Sequence, residues 1–398
     1  MEIIRNFLIQ LLIICIICIP FAYILTYLYV ETDVRPIEPC QKRVIGYYSF
    51  WEQSTLMTIR ELNKLTHIIF MFAFIQDDGS ALISYENKSG YKKRFLAPKT
   101  GLKVMIAVGG HETSHLFSPT LHDGEKKKNL LASILRLFDD YDIDGIEIYW
   151  MFPWEKDIVD HTNLLKELRQ ELTKLKDAKG RSEDYVLSTI TTRFPYYKIP
   201  PHHEKTINYN EVVKCVDFVN VFTYDFVYNV FCTHAGPVSP LYGGGDESID
   251  YAMKTLACIT RHPQKLNMVV LLSGVGWTNI SFPFNDSVNQ MYVSNHGVGP
   301  MYTVILGQKE TMGPWENSTI LWHNKSRTAY MWKQKERAFA SVENEKSLME
   351  KANYVREKNL GGITIFVLEY DYKHTLTKAI TSVDLGDCDE KDTYDCDD

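Results

Sequence analysis

The chain lacks an extended basic stripe, and outside its last fifteen residues it has no net charge. Those residues, 384–398, contain eight carboxylates and one lysine, which accounts for the whole formal charge of −7. The missing basic stripe argues against a nucleic-acid partner. The terminal segment is predicted to be a solvated, flexible acidic tail rather than a metal site. The full chain of 398 residues is 45% hydrophobic, so it can bury a core large enough for one large α/β domain or two ordinary ones.

Residues 7–30 also lack charge, and this apolar run exceeds the roughly 20 residues that a helix needs to cross a bilayer. A cleaved signal peptide is the alternative, but its apolar core is usually shorter and is followed by small residues. Arg5 precedes the run and two acidic residues follow it, which favours a cytoplasmic segment 1–6. We therefore predict a transmembrane signal-anchor, a linker over 31–42 and an extracellular or lumenal body. Cleavage would instead make the protein secreted.

Two further features agree with export of the body. Five Asn-x-Ser/Thr sequons are candidate glycosylation sites, at Asn87, Asn279, Asn285, Asn317 and Asn324. Six cysteines lie outside the apolar run: Cys40, Cys215, Cys232, Cys258, Cys388 and Cys396. An even number is expected in an oxidising compartment, but six cysteines allow about 15 complete pairings. The sequence therefore predicts disulfide bonds but not which cysteines are paired.

Apolar strand segments alternate with amphipathic helices along the body. The eight strand candidates are 43–50, 66–75, 103–110, 143–150, 185–192, 216–225, 266–276 and 361–369. This alternation predicts a parallel sheet, and eight units favour a closed (β/α)8 TIM barrel over 43–383. The rhythm is lost over about 277–335, which predicts an insertion between the seventh and eighth strands. A doubly wound open sheet is the alternative, because sequence does not show closure.

Six strand segments together resemble the glycoside hydrolase family 18 chitinases and their chitinase-like relatives. They are GYYSFW, THIIFMFAF, VGGH, DGIEIYWMFP, VDFVNVFTYDF and LGGITIFVLEYD, and they occur in the family's order. The resemblance covers about 43–371. It implies a (β/α)8 barrel that binds chitin-type oligosaccharides at the C-terminal ends of its strands.

The fourth strand departs from the family motif D-G-x-D-x-D-W-E. In that family the final Glu protonates the glycosidic oxygen, and the preceding Asp orients the substrate's own acetamido group, which acts as nucleophile. The three acidic positions here hold Glu147, Tyr149 and Met151. A thioether has no proton to donate, so the resemblance implies a pseudoenzyme whose acid catalyst is missing.

Other positions keep groups that can hold a sugar. The aromatic residues Tyr47, Trp150, Tyr224 and Phe366 could contact the apolar face of a pyranose ring, and Glu147 and Asp225 could bind its hydroxyls. The alternative is that these aromatics fill the barrel interior.

Residues 111–115 read HETSH, a literal match to the zinc-protease motif H-E-x-x-H. The motif follows two glycines at a strand end, contains helix-start residues and has no evident third ligand downstream. We therefore predict chance loop histidines, with no metal and no cofactor.

Three functions are compatible with these patterns. The first is a non-hydrolytic protein that binds chitin or related N-acetylglucosamine glycans. The second is a residual glycosidase that uses Glu147, Glu155 or Asp225 as a displaced acid. The third is a protein-interaction barrel in which the sugar cleft has closed.

Overall fold

The computed structural model describes residues 42–49, 64–83, 101–153, 155–191, 207–226, 234–243, 245–278, 293–294, 302–306, 315–371, 374–387 and 393–396. Within these ranges no helix is both long and apolar enough to span a bilayer. The apolar run 7–30 lies outside the described residues, as do Asn87, Asn279 and Asn285. The signal-anchor therefore stays a prediction, as does glycosylation at all five sequons, including Asn317 and Asn324 within the described ranges.

Eight parallel strands form a closed barrel in the described part of the chain. They are β1 (Arg43–Ser49), β2 (His67–Ile75), β4 (Lys103–Gly109), β5 (Gly145–Tyr149), β6 (Val186–Thr191), β7 (Phe218–Phe222), β9 (Leu266–Leu271) and β16 (Gly362–Phe366). The short strand β3 (Ala81–Leu82) pairs antiparallel with β2. Closure follows from the pairing of β1 with both β2 and β16. The predicted (β/α)8 barrel is confirmed, and the open-sheet alternative is wrong.

The described helices are α1 (Phe117–His122), α2 (Gly124–Tyr141), α3 (Ile158–Ala178), α4 (Tyr209–Cys215), α5 (Ile249–Thr260), α6 (Glu345–Glu357) and α7 (Thr375–Thr381). Several of these helices begin at residue types that favour N-cap positions. The Asp123 carboxylate accepts hydrogen bonds from two backbone N–H groups at the start of α2, and Asn344 forms a capping box with Ser347 at the start of α6.

Period-two alternation divides the strand side chains between two cores. Odd-numbered positions of β5 face the barrel interior, where Tyr149 packs with aromatic residues from other strands. Even-numbered positions, such as Ile146 and Ile148, face outward and pack in the layer that contains Leu164 and Leu168 of α3. The chemistry of the barrel mouth is therefore set by the inward positions.

An antiparallel sheet follows the seventh barrel strand. Its order is β12 (Tyr302–Val304), β10 (Gly274–Trp277), β15 (Ala338–Val342), β14 (Thr328–Lys333) and β13 (Leu321–His323). Two further short strands, β8 (His234–Ala235) and β11 (Val293–Ser294), pair with each other. The five-stranded sheet has its own apolar core, centred on the buried Trp315. The insertion lies where it was predicted, but its strands begin at 274 and end at 342, so the predicted limits were too narrow.

The acidic tail is not wholly solvated. A disulfide joins Cys258 of α5 to Cys396, and the buried Tyr394 hydroxyl lies 3.0 Å from that of Tyr354. Leu385 is buried as well. The prediction of a flexible tail was wrong for these residues, because a charge count over 384–398 gives no weight to three apolar side chains within it. Cys215 is buried and free.

Candidate functional site

The fourth barrel strand, β5, supplies the motif positions. The Asp144 carboxylate, just before the strand, accepts hydrogen bonds from Val104 N–H at 2.9 Å and from the Arg181 guanidinium at 2.7 Å. This residue therefore ties β5 to its neighbours at the N-terminal end of the barrel. Glu147, Tyr149 and Met151 follow on the inward face and rise toward the mouth.

Glu147 is fully buried, and its carboxylate is occupied by protein donors. Tyr47 Oη donates to Oε2 at 2.6 Å, while Asn220 Nδ2 and Ser188 Oγ donate to Oε1 at 2.6 and 3.2 Å. Burial raises the Glu147 pKa to about 7, against the opposing effect of these hydrogen bonds. The prediction that Glu147 binds sugar hydroxyls is not supported by this placement, because the residue lies below the mouth with no solvent exposure.

The hydrogen bonds continue through the barrel toward its N-terminal end. Asn220 Oδ1 accepts from Thr364 Oγ1 at 2.8 Å and from Asn267 Nδ2 at 3.0 Å. Asn267 Oδ1 in turn accepts from Arg43 Nε at 3.0 Å. Glu147 thus lies at the upper end of a chain of hydrogen bonds that pairs the buried polar side chains of the barrel interior.

The raised Glu147 pKa gives a pH prediction. The folded protein holds this proton up to about pH 7, whereas an ordinary glutamate loses it near 4.5. The group's stabilising contribution is therefore fully present below pH 4.5 and is lost as pH rises through 7. Relative to Glu147→Gln, the wild type should lose up to roughly 3 kcal/mol of unfolding free energy between pH 4.5 and 7.5, as measured by urea denaturation.

Two buried histidines make stability contributions that change with pH in the opposite direction, over a range that overlaps this one. Burial lowers the pKa of His67 to about 3 and that of His161 to about 4. Their contribution is present above pH 6.5 and is lost on acidification. Both residues are common to the wild type and Glu147→Gln, so they cancel in the difference. A difference that does not change with pH would contradict the assigned pKa of Glu147.

Tyr149 and its aromatic neighbours form the floor of the mouth. The Tyr149 ring centroid lies 4.8 Å from that of Phe72 and 5.7 Å from that of Phe222. Burial and a hydrogen bond with Tyr224 raise the Tyr149 pKa well above its ordinary value. The position therefore holds a neutral phenol where the family motif has a carboxylate.

A pocket of about 280 Å³ opens above this floor, at the C-terminal ends of the strands. That volume is near the lower end of the range typical for small-molecule sites, roughly 300–1,000 Å³. Met151 lines it, as do four of the other predicted site residues, Tyr149, Tyr224, Asp225 and Phe366. Asp225 has a left-handed backbone with φ of 58°, a conformation that Asp and Asn tolerate better than most residues.

The pocket also contains residues that the sequence reasoning missed. They are Phe72, His111, Leu271, Ser273, Gly274, Val275 and Tyr370. Most lie at or just after the C-terminal ends of barrel strands, which is the position from which barrel enzymes draw their sites. A systematic reading of each strand end would have found them.

The predicted aromatic residues separate into three environments. Tyr224 lies nearly parallel to Phe366, with ring centroids 5.7 Å apart, and both line the pocket. Tyr47 is fully buried beneath them and contacts Phe366 edge-on at 5.4 Å. Tyr47 therefore supports the floor and donates to Glu147, and the prediction that it contacts ligand directly does not match its position.

Trp150 lies on the opposite face of its strand. It stacks on Phe117 at 4.7 Å with an interplanar angle of 13°, and it is 3% exposed in the layer between barrel and helices. The prediction that Trp150 lines the cleft is corrected, because an even-numbered residue of this strand faces away from the barrel interior.

Two remaining predictions concern other acidic and metal-binding groups. The Glu155 side chain lies outside the described residues. His111 of the HETSH motif lines the pocket, whereas His115 is exposed on a 3-10 turn. Neither belongs to a cluster of metal-ligating side chains within the described ranges.

Comparison with known proteins identifies the family. The model of the glycosyl hydrolases family 18 matches residues 43–371. Sporulation-specific chitinase 2 of Saccharomyces cerevisiae is 28% identical over 279 residues, which are 65% of this chain and 53% of the yeast protein. The chain thus spans about half the length of that relative.

Solved structures share the fold at lower identity. A GH18 chitinase from Cycas revoluta in complex with (GlcNAc)3 superposes with a TM-score of 0.74 at 16% identity, over 85% of this chain and 99% of that one. YKL-39 in the presence of chitooligosaccharides (GlcNAc4) gives a TM-score of 0.74 at 19% identity, over 86% and 99% of the two chains.

Proposed function

The chain belongs to glycosyl hydrolase family 18, and from this premise we propose that it is a non-hydrolytic member. In this proposal it binds chitin or related N-acetylglucosamine oligosaccharides in the pocket at the barrel mouth. The observation that carries the proposal is Met151, which lines the pocket at the motif position of the proton donor.

Three features of the site support the absence of hydrolysis. The Met151 thioether cannot act as a general acid, and the Tyr149 phenol is neutral at physiological pH. Glu147 is enclosed by Tyr47, Asn220 and Ser188. The raised pKa of Glu147 therefore results from its burial in the polar chain, and the residue is not placed to protonate a substrate oxygen.

Asp225 is the one carboxylate that lines the pocket in the described part of the chain. A substrate-assisted mechanism needs both a proton donor and a group that orients the acetamide, so one carboxylate supplies at most half of that requirement. Asp225 is better suited to accept hydrogen bonds from ligand hydroxyl or amide groups.

The pocket retains groups that hold a sugar. Phe366 and Tyr224 provide ring faces beside the Asp225 carboxylate, and Leu271 adds apolar surface. By analogy with aromatic pairs, each ring contributes about 0.5–1.5 kcal/mol beyond area burial. Together with apolar burial and hydrogen bonds to Asp225, we expect these contacts to give affinities in the micromolar to millimolar range, about −4 to −8 kcal/mol. The Cycas chitinase was solved with (GlcNAc)3 and YKL-39 with chitooligosaccharides, which supports the choice of ligand class.

Calorimetric titration with chitotetraose tests the proposal. The wild type should bind with one site per chain. Phe366→Leu keeps apolar bulk but removes a ring face, so it should weaken binding about 2- to 10-fold. Asp225→Asn keeps the shape and tolerates the left-handed backbone but removes the charge, so it should weaken binding about 10-fold or more.

The matched control is Tyr251→Ala, which removes an exposed aromatic ring of α5 outside the pocket. Its affinity should equal that of the wild type. Circular dichroism and thermal unfolding establish that each variant is folded. Equal affinity of Phe366→Leu, Asp225→Asn and the wild type would place any glycan binding elsewhere.

A further inference from the structure

A second group of polar side chains lies on the outside of the barrel, where α1 ends and α3 begins. His122 is the last residue of α1, and Asp157 and Asp160 stand at the start of α3. One ligand atom from each of the three lies within 4.8 Å of the others. We propose that this cluster binds a divalent transition-metal ion, and specifically Zn²⁺.

The environment of Asp157 is the strongest support. This residue is 1% exposed, yet its carboxylate accepts one hydrogen bond, from Ser118 Oγ to Oδ1 at 2.6 Å. Within the described ranges, Asp157 forms no salt bridge with a lysine, arginine or histidine. A buried carboxylate is costly unless a cation or several donors compensate its charge. A bound metal ion would provide that compensation.

His122 is oriented as a metal ligand usually is. Its Nδ1 donates to the Ser118 carbonyl oxygen at 2.8 Å, which leaves Nε2 as the nitrogen that can bind a metal ion. Nε2 faces the cluster, 3.2 Å from Asp160 Oδ2, and a metal ion bound there would replace the Nε2 proton that otherwise donates to this carboxylate. A backbone carbonyl that accepts from the second ring nitrogen is a common arrangement around metal-bound histidines. Ser118 therefore orients both His122 and Asp157.

The donor set selects the class of ion. One imidazole and two carboxylates suit Zn²⁺ better than Mg²⁺ or Ca²⁺, which prefer oxygen ligands alone. The side chains of His122 and Asp160 are 58% and 32% exposed. The ion can therefore enter from solvent, and water can occupy its remaining coordination position. The cluster lies apart from the pocket and does not depend on the proposed glycan binding.

Calorimetric titration of the purified full chain with ZnCl₂ tests the site. The wild type should take up one ion per chain. His122→Ala and Asp160→Asn change partly exposed side chains and should each weaken binding at least about tenfold. Saturating Zn²⁺ should raise the melting temperature of the wild type by several degrees, because the ion binds the folded state alone, and it should raise that of the two variants less.

The matched control is His115→Ala, which removes an exposed histidine from the same segment but outside the cluster. It should bind Zn²⁺ like the wild type. If folded wild type takes up no Zn²⁺, the proposal is wrong, and His122 and Asp160 form a surface ion pair only. Unchanged affinity in both His122→Ala and Asp160→Asn would also overturn it, because the ion would then lie elsewhere.

Discussion

The purified protein should release no product from a fluorogenic chitotriose substrate above the level of a heat-denatured control. General-acid catalysis typically contributes about 10²–10⁴-fold, and Met151 cannot supply it. The neutral Tyr149 phenol removes the acetamide-orienting carboxylate as well. The expected loss is therefore at least that of the acid alone. Turnover by the wild type, at a rate proportional to protein concentration, would contradict the proposal.

Single restoration of the acid should not recover activity. Met151→Glu returns a proton donor to the pocket, but Tyr149 still occupies the neighbouring motif position. Met151→Gln is the matched control, because it has the size of glutamate without an acidic proton. Both variants should be as inactive as the wild type. Activity in Met151→Glu and not in Met151→Gln would show that the Tyr149 phenol can replace the missing carboxylate.

Truncation of Trp150 to alanine should greatly lower the protein's free energy of unfolding. Trp150 is 3% exposed and stacks on Phe117, so Trp150→Ala leaves a cavity between the barrel and its helices. Changes of this kind cost about 3–5 kcal/mol. Denaturant unfolding should show this loss, whereas the folded fraction should bind chitotetraose as the wild type does.

Trp150→Phe provides the comparison, since it keeps a ring against Phe117 and should cost less than Trp150→Ala. The two variants separate a core role from a ligand-binding role. Loss of chitotetraose binding by folded Trp150→Phe, with stability near that of the wild type, would restore Trp150 to the binding site and contradict the strand orientation.

The alternation of strand and helix segments predicted the closed barrel, but it did not identify all the side chains that face the barrel interior. Alternation correctly placed Glu147, Tyr149 and Met151 on one face. The same rule puts Trp150 on the other face, yet Trp150 was predicted to bind sugar because it is aromatic. The period-two alternation of the strand already excluded that ligand-binding role.

Burial depth was the second limit. The sequence cannot show that Tyr47 reaches Glu147 across 100 residues of chain, or that Asn220 completes the acceptor set. Such contacts depend on which strands become neighbours in space. Cys396 illustrates the same limit, because its disulfide partner Cys258 is 138 residues away and the surrounding charges indicated a free tail.

Recovery of the ligand after a binding titration distinguishes binding without cleavage from hydrolysis. Chitotetraose is titrated into wild type at concentrations up to about millimolar, incubated, and then analysed by mass spectrometry. We expect heat for one bound ligand per chain and tetraose recovered at full length. Shorter oligomers would show that the protein hydrolyses chitin, and an absence of heat with folded protein would leave the protein-interaction interpretation in place of glycan binding.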